Sequence, residues 1–188
     1  MSSESKKILI FAGSLRGASF NRKLAANVAQ LAQQQGAQVT LLDLNEYPLP
    51  IYNGDIEDEG MPENVHKLQA LFAEHDAIII STPEYNGAVP ALVKNTLDWI
   101  SRKQANGDSG IEVLQGKVAG IVAASPGALG GLRALLALRD QLAKLSLWVA
   151  PTQFALGKAS EAFDSQDELK DNQHKEKITQ IINEVMRF

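Results

Sequence analysis

The chain contains no cysteine, which excludes disulfide staples, thiol nucleophiles and thiolate metal sites together. No apolar run approaches the roughly 20 residues that span a bilayer, and the polar start Met1–Lys7 is not followed by the apolar core of a signal peptide. Charge is low as well: 18 Lys and Arg against 22 Asp and Glu give a formal −4 over 188 residues, with no basic footprint for nucleic acid. Histidine occurs only at positions 66, 75 and 174. This scatter has no metal-ligand spacing, so the three are read as structural, His66 and His75 on a surface helix. Two phosphate-binding signatures are missing: there is no Gly-Lys-Ser/Thr and no Gly-x-Gly-x-x-Gly, which excludes a Walker loop and a dinucleotide fingerprint. A cytoplasmic enzyme or carrier is the expectation these absences leave. Hydrophobic content of 45% and charged content of 21% suit one α/β domain over residues 1–188.

What is present centres on Gly13-Ser14-Leu15-Arg16-Gly17-Ala18-Ser19-Phe20-Asn21. The stretch follows an apolar run, residues 8–12, of strand length. It precedes the Ala- and Leu-rich segment 24–32, which favours helix. A helix start carries partial positive charge and unpaired N–H groups, and sequences usually answer it with acidic residues. Here the neighbours are Arg16, Arg22 and Lys23 instead. Three cations at a positive helix end, beside Ser14, Ser19 and Asn21 and the pliant Gly13 and Gly17, point to an anion site and specifically to phosphate.

Further strands are expected at 38–43, 77–82, 118–124 and 147–149, and helices at 62–72, 90–101, 132–145 and 169–186. Strands alternating with helices imply a parallel sheet covered on both faces. The loops richest in glycine, serine and proline follow the first, third and fourth strands. In a doubly wound sheet of order 2-1-3-4-5 these three loops converge at the switch point between strands one and three. The second loop offers the aromatic face of Tyr85 and backbone fixed by Pro83 and Pro90. The third offers bare backbone at Gly127, Gly130 and Gly131, against which a flat ligand can lie. A phosphate at one end and a planar hydrogen-bonding ring at the other describe flavin mononucleotide (FMN).

Gly13-Ser14-Leu15-Arg16-x-x-Ser19-x-Asn21, Pro83-Glu84-Tyr85-Asn86-Gly87 with Lys94-Asn95 and Asp98-Trp99, and Ser125-Pro126-Gly127-x-x-Gly130-Gly131 resemble, in this order, the NADPH-dependent FMN reductase family. That family includes bacterial quinone, azo-dye and chromate reductases. The resemblance implies a flavodoxin-like fold with five parallel strands in order 2-1-3-4-5, FMN as cofactor and NADPH or NADH as donor. It implies phosphate ligands among residues 14–21 (Ser14, Leu15, Arg16, Gly17, Ala18, Ser19, Phe20, Asn21). It also implies contacts to the ribityl chain and pyrimidine edge from Pro83, Glu84, Tyr85, Asn86 and Gly87. Ser125, Pro126, Gly127 and Gly130 would hold the ring. Arg102 matches a position that could meet the nicotinamide nucleotide, whereas residues 104–116 match no family pattern.

The chemistry then needs no side-chain nucleophile or acid, since flavin N5 takes the hydride. The expected reaction moves two electrons to a quinone, free flavin, azo compound or oxidised metal ion, with donor and acceptor sharing one flavin face in ping-pong order. The alternatives are a flavodoxin-type one-electron carrier, against which the mild charge and Arg16 speak, and a flavin-free interaction protein of the same fold. The long connection 45–61, with Tyr47, Leu49, Ile51 and Tyr52, is expected to bury apolar surface in a homodimer or homotetramer.

Overall fold

The computed structural model describes residues 5–187; of the polar start, Met1–Glu4 lie outside them. Strand β1 (Lys7–Ala12) leads through the glycine-serine loop into helix α1 (Phe20–Gln34), and β2 (Gln38–Leu42) follows. After a connection holding α2 (Gly54–Glu59) come α3 (Glu63–Glu74), β3 (Ala77–Ser81), α4 (Ala91–Ile100) and β4 (Val118–Ala124). Helix α5 (Leu132–Lys144), β5 (Trp148–Val149), β6 (Phe154–Leu156), α6 (Ala159–Ala162) and α7 (Asn172–Arg187) complete the described chain. The strand order is β2-β1-β3-β4-β5 with β6 also on β4, and every strand pair is parallel.

Alternation along β1 shows how the sheet is covered. Ile8 and Ile10 face a core built with Leu24 and Val28 of α1 and Ile178 and Ile182 of α7. Leu9 and Phe11 face the opposite core, with Leu68 and Phe72 of α3, Leu97 of α4 and Leu135 and Leu138 of α5. The central strands are therefore covered on both faces, and β3 and β4 are buried along their whole length. No helix of the described residues is long and apolar enough to cross a membrane.

Four expectations change. The fifth strand is split. Val149 pairs with Ala119 and Phe154 with Val122, so the edge carries two more residues than β4 does between these pairings. They bulge at Ala150–Gln153, where Pro151 has no N–H to give a ladder and Glu184 of α7 accepts from the Thr152 N–H at 2.9 Å. Next, the connection 45–61 folds onto its own subunit. Pro50 O accepts from Asn95 Nδ2 and Trp99 Nε1, each at 2.8 Å, and the Tyr52 N–H donates to Asn95 Oδ1 at 2.8 Å. Tyr47 and Leu49 pack against the core, leaving Ile51 exposed. His75 is buried at the end of α3, bridging Leu71 O and Thr40 Oγ1, instead of lying on a surface helix. Last, α7 starts at Asn172, and Leu169 before it is buried outside any helix.

Candidate functional site

The three loops meet beyond the carboxyl ends of β1, β3 and β4. They enclose a cavity of about 190 Å³ lined by Ser14, Arg16, Ser19, Phe20 and Asn21, by Pro83, Glu84 and Tyr85, and by Ala124, Ser125 and Pro126. Gly13 allows the first loop to lie against α4: a Cβ there would stand 2.3 Å from Val93 Cγ2. Its N–H donates to Ser81 O at 2.8 Å. Ser19 caps α1, its Oγ accepting from the Asn21 N–H at 3.2 Å, and the first turn of α1 holds no acidic residue. Among the described residues, the N–H groups of Ser14 through Ala18 find no protein acceptor. Ser14 and Ser19 are buried while Arg16 is exposed.

The cations at this helix end separate on inspection. Arg22 forms a two-pronged ion pair with Asp43 at the end of β2, at 3.1 and 2.6 Å. The Arg22 guanidinium, with the Asn45 N–H, holds the Asp43 carboxyl below its ordinary range. Lys23 pairs with Asp167. The expected clash of three cations is thus answered twice by carboxylates from elsewhere in the chain. Among the described residues only Arg16 of the three has no carboxylate partner. Asn21 also has work inside the protein. Its Nδ2 donates to Ala124 O and its Oδ1 accepts from the Ala124 N–H, both at 2.9 Å, and from Ser81 Oγ at 3.1 Å. One buried amide thereby ties the start of α1 to the ends of β3 and β4.

The second loop turns back on itself at Asn86 (φ 53°) and Gly87 (φ 77°), between reciprocal hydrogen bonds of Tyr85 and Ala88 at 3.0 and 3.1 Å. Positive φ at both central residues is the type I′ turn that Asn-Gly favours. Among the described residues it leaves the N–H groups of Asn86 and Gly87 without protein acceptors, and Tyr85 is 54% exposed. Behind the turn, Glu84 reaches across to the third loop. It accepts from the Arg133 N–H at 3.0 Å and the Ala134 N–H at 3.4 Å, and pairs with the Arg133 guanidinium at 2.6 Å. Helix α5 begins at Gly131 without a side-chain cap of its own, so the Glu84 carboxylate answers its positive end. The Arg133 guanidinium, followed in effect by the backbone donors, holds the Glu84 carboxyl below the usual carboxylate range against the opposing effect of burial.

In the third loop the glycines divide. Gly127 is exposed and a Cβ there would touch only Ser125 Oγ, at 3.6 Å. Gly130 and Gly131 are buried, and their close approach is to the protein itself. A Cβ at Gly130 would lie 2.6 Å from Ala155 C, and one at Gly131 would lie 2.8 Å from Ala123 Cβ. The bare backbone expected to meet a flat ligand is therefore at Gly127, while Gly130 seats the loop on β6. The same seating uses Gly157, whose Cβ would meet Ala128 O at 2.5 Å, and the Ala159 N–H, which donates to Ser125 O at 3.1 Å. Leu15, Gly17, Ala18, Asn86 and Gly87 stand on exposed loop backbone just outside the cavity lining. Arg102 is bound elsewhere, to Glu57 at 2.9 Å and over the Tyr52 ring at 5.2 Å. The unmatched stretch 104–116 holds a turn of 3₁₀ helix (Gly110–Val113) that buries Val113 and Leu114. Sequence reasoning missed Arg133 and Gly157; the spacing Gly130-Gly131-x-Arg133 at a helix start was the available signal for the first.

A doubly wound parallel sheet whose unusual loops gather at the crossover between β1 and β3 belongs to the flavodoxin-like class of nucleotide-binding folds. Comparison with known proteins narrows this. The chain belongs to the NADPH-dependent FMN reductase family, which it matches over residues 6–161, and it is accordingly an oxidoreductase. It is 34% identical over 165 residues to a quinone reductase of Pseudomonas putida, covering 87% of this chain and 84% of the relative. It is 32% identical over 179 residues to an NAD(P)H-dependent FMN reductase of Pseudomonas aeruginosa, covering 95% and 92%. Among solved structures, the flavoenzyme NAD(P)H:(acceptor) oxidoreductase FerB of Paracoccus denitrificans superposes with a TM-score of 0.82 at 26% identity, covering 97% of this chain and 96% of that one.

Proposed function

We propose that the chain holds FMN in the crevice and passes electron pairs from NADPH or NADH to a quinone, free flavin, azo compound or oxidised metal ion. The observation that carries the reading is the first loop: unpaired N–H groups from Ser14 to Ala18, an uncapped charge at Arg16 and no acid in the first turn of α1. Such a loop suits a dianionic phosphate. The Ser14 and Ser19 hydroxyls, both on the cavity wall, would add to it. The N–H groups of Asn86 and Gly87 suit the oxygen-rich pyrimidine edge, and Ser125 to Gly127 provide an open shelf for the ring.

When bound, FMN supplies a ring that accepts two electrons from a nicotinamide and yields them to an acceptor. The protein's part is to bind, orient and polarise. With FMN bound, the Asn86 and Gly87 N–H groups, already fixed in the type I′ turn, would donate to its pyrimidine edge and would stabilise negative charge there without reorganising. Glu84 and Asn21 hold the three loops in register without touching the reacting atoms. Donor and acceptor use one open face in turn, so double-reciprocal plots against either substrate should be parallel. The test is direct: purified protein loaded with FMN should lose its yellow colour on anaerobic addition of NADPH or NADH alone. Colour that persists until a second protein is added would make it a carrier, and failure to take up FMN would overturn the reading.

A further inference from the structure

Three asparagines of this chain are followed by glycine: Asn53, Asn86 and Asn106. Asparagine is chemically labile, and most so before glycine, which puts no side chain between its own backbone nitrogen and the neighbouring amide carbon. The fold treats the three pairs differently. Asn53 caps α2, its Oδ1 accepting from the Asp55 N–H at 3.0 Å. Asn106 is tied twice to Asp108, donating through Nδ2 at 2.7 Å and accepting at Oδ1 at 3.0 Å, and the Gly107 N–H donates to Gln104 O at 3.0 Å. At the exposed pair Asn86-Gly87, among the described residues, the Asn86 side chain makes no hydrogen bond and the Gly87 N–H has no protein acceptor. Both the amide carbon and the nitrogen that could attack it are free there.

We propose that Asn86 is a site of spontaneous modification gated by the cofactor: in FMN-free protein it converts to aspartate and isoaspartate, and bound FMN protects it. The gating rests on FMN occupying the crevice as proposed above. In the first step the Gly87 nitrogen gives up its proton and bonds to Asn86 Cγ, while the side-chain nitrogen leaves with that proton as ammonia. Water then opens the five-membered imide. Attack at Cγ yields aspartate; attack at the main-chain carbonyl yields isoaspartate, in which the chain runs through the former side chain. Ring closure requires the Gly87 nitrogen to swing towards Cγ, out of the left-handed geometry of the turn, where Asn86 has φ 53°. The turn is exposed and closed by the reciprocal Tyr85–Ala88 bonds, so it opens locally while the sheet stays intact. FMN accepting from both N–H groups would engage the nucleophile and hold the turn shut. The products alter the site. A carboxylate at position 86 sets negative charge beside the edge where reduced FMN gathers its own, and isoaspartate lengthens the backbone of the turn and displaces both donors. Protein left without cofactor thereby loses, with time, its capacity to take the cofactor up.

The test incubates full-length apoprotein and FMN-loaded protein side by side, at mildly alkaline pH in heavy-oxygen water, and maps both by peptide mass spectrometry. The oxygen taken up on imide opening marks conversions that occurred during the incubation. In apoprotein shown to be folded by circular dichroism, Asn86 should convert several-fold faster than Asn53 or Asn106. Because only FMN-free molecules react, the rate should fall by the factor 1 + [FMN]/Kd, about a hundred-fold at a hundred-fold excess over Kd. Asn86→Asp, which carries the product's charge on an unaltered backbone, should bind FMN more weakly and lower its reduction potential; unchanged affinity and potential would overturn the stated effect on the site. Conversion of Asn53 or Asn106 ahead of Asn86, or equal conversion of all three, would overturn the inference. So would yellow, FMN-loaded protein whose Asn86 converts as fast as that of the apoprotein. Protein that takes up no FMN is told apart by its lack of colour, and overturns the gating together with the cofactor reading.

Discussion

At the scale of single residues, three cations close in sequence have three different tasks. Arg22 and Lys23 are neutralised by Asp43 and Asp167, so they fasten α1 to β2 and to the segment before α7. Among the described residues, Arg16 alone of the three has no carboxylate partner, which leaves its charge available to the proposed phosphate. The distinction predicts opposite phenotypes. Arg16→Ala should weaken FMN binding about ten-fold or more, as loss of a charge-assisted contact to phosphate does, and leave the melting temperature of the apoprotein unchanged. Arg22→Ala should lower that melting temperature and alter FMN affinity much less. Titration by flavin fluorescence and thermal melts of both variants decide it; equal FMN affinity in Arg16→Ala and wild type would sink the phosphate role of that side chain. No sequence pattern could have sorted the three, because their partners lie as far as 144 residues away.

At the scale of elements, the second and third loops are one unit because Glu84 joins them. Its carboxylate caps α5, a helix whose own N-cap is a glycine at φ 93°, and pairs with Arg133. The folded-state carboxyl is held below the ordinary glutamate range of about 4.3. Its contribution to stability is therefore complete above that range and is lost as pH falls through the lower folded-state value. Glu84→Gln should melt below the wild type at pH 7, and the gap should close as pH drops from about 5 towards 3. A gap that stays constant across that range would mean the charge is not what matters. Elements with an apolar rhythm, such as α1, α4 and β4, were legible in the sequence. Helix α2 was not, because Gly54–Glu59 buries none of its residues and is held by the Asn53 cap. The split edge strand was hidden for a related reason: β6 is three residues long, and only its pairing with β4 defines it. Without β6 in view, Gly130 reads as ligand-facing when it is in fact the floor on which the loop rests.

At the scale of the whole molecule, the order of the sheet decides where the chemistry can be. Three loops spread over more than 100 residues of chain become one crevice because β1, β3 and β4 are consecutive in the sheet. That convergence was readable from the alternation of strands and helices, whereas the links that lock it (Asn21 to Ala124, Glu84 to Arg133, Gly130 to Ala155) depend on packing. A ligand that touches all three loops must stabilise the entire domain, since unfolding any one of them releases it. Stabilisation by a ligand specific for the native state follows RT ln(1 + [L]/Kd), about 2.7 kcal/mol at a hundred-fold excess over Kd. For a chain of this size each kcal/mol is worth roughly 2–4 °C. FMN at that excess should therefore raise the melting temperature of the apoprotein by about 5–11 °C. Riboflavin, which lacks the phosphate, should give a much smaller shift at the same concentration, and inorganic phosphate at millimolar concentration a small one of its own. If riboflavin matches FMN degree for degree, the first loop is not a phosphate site; if neither shifts the melt, the crevice does not hold a flavin.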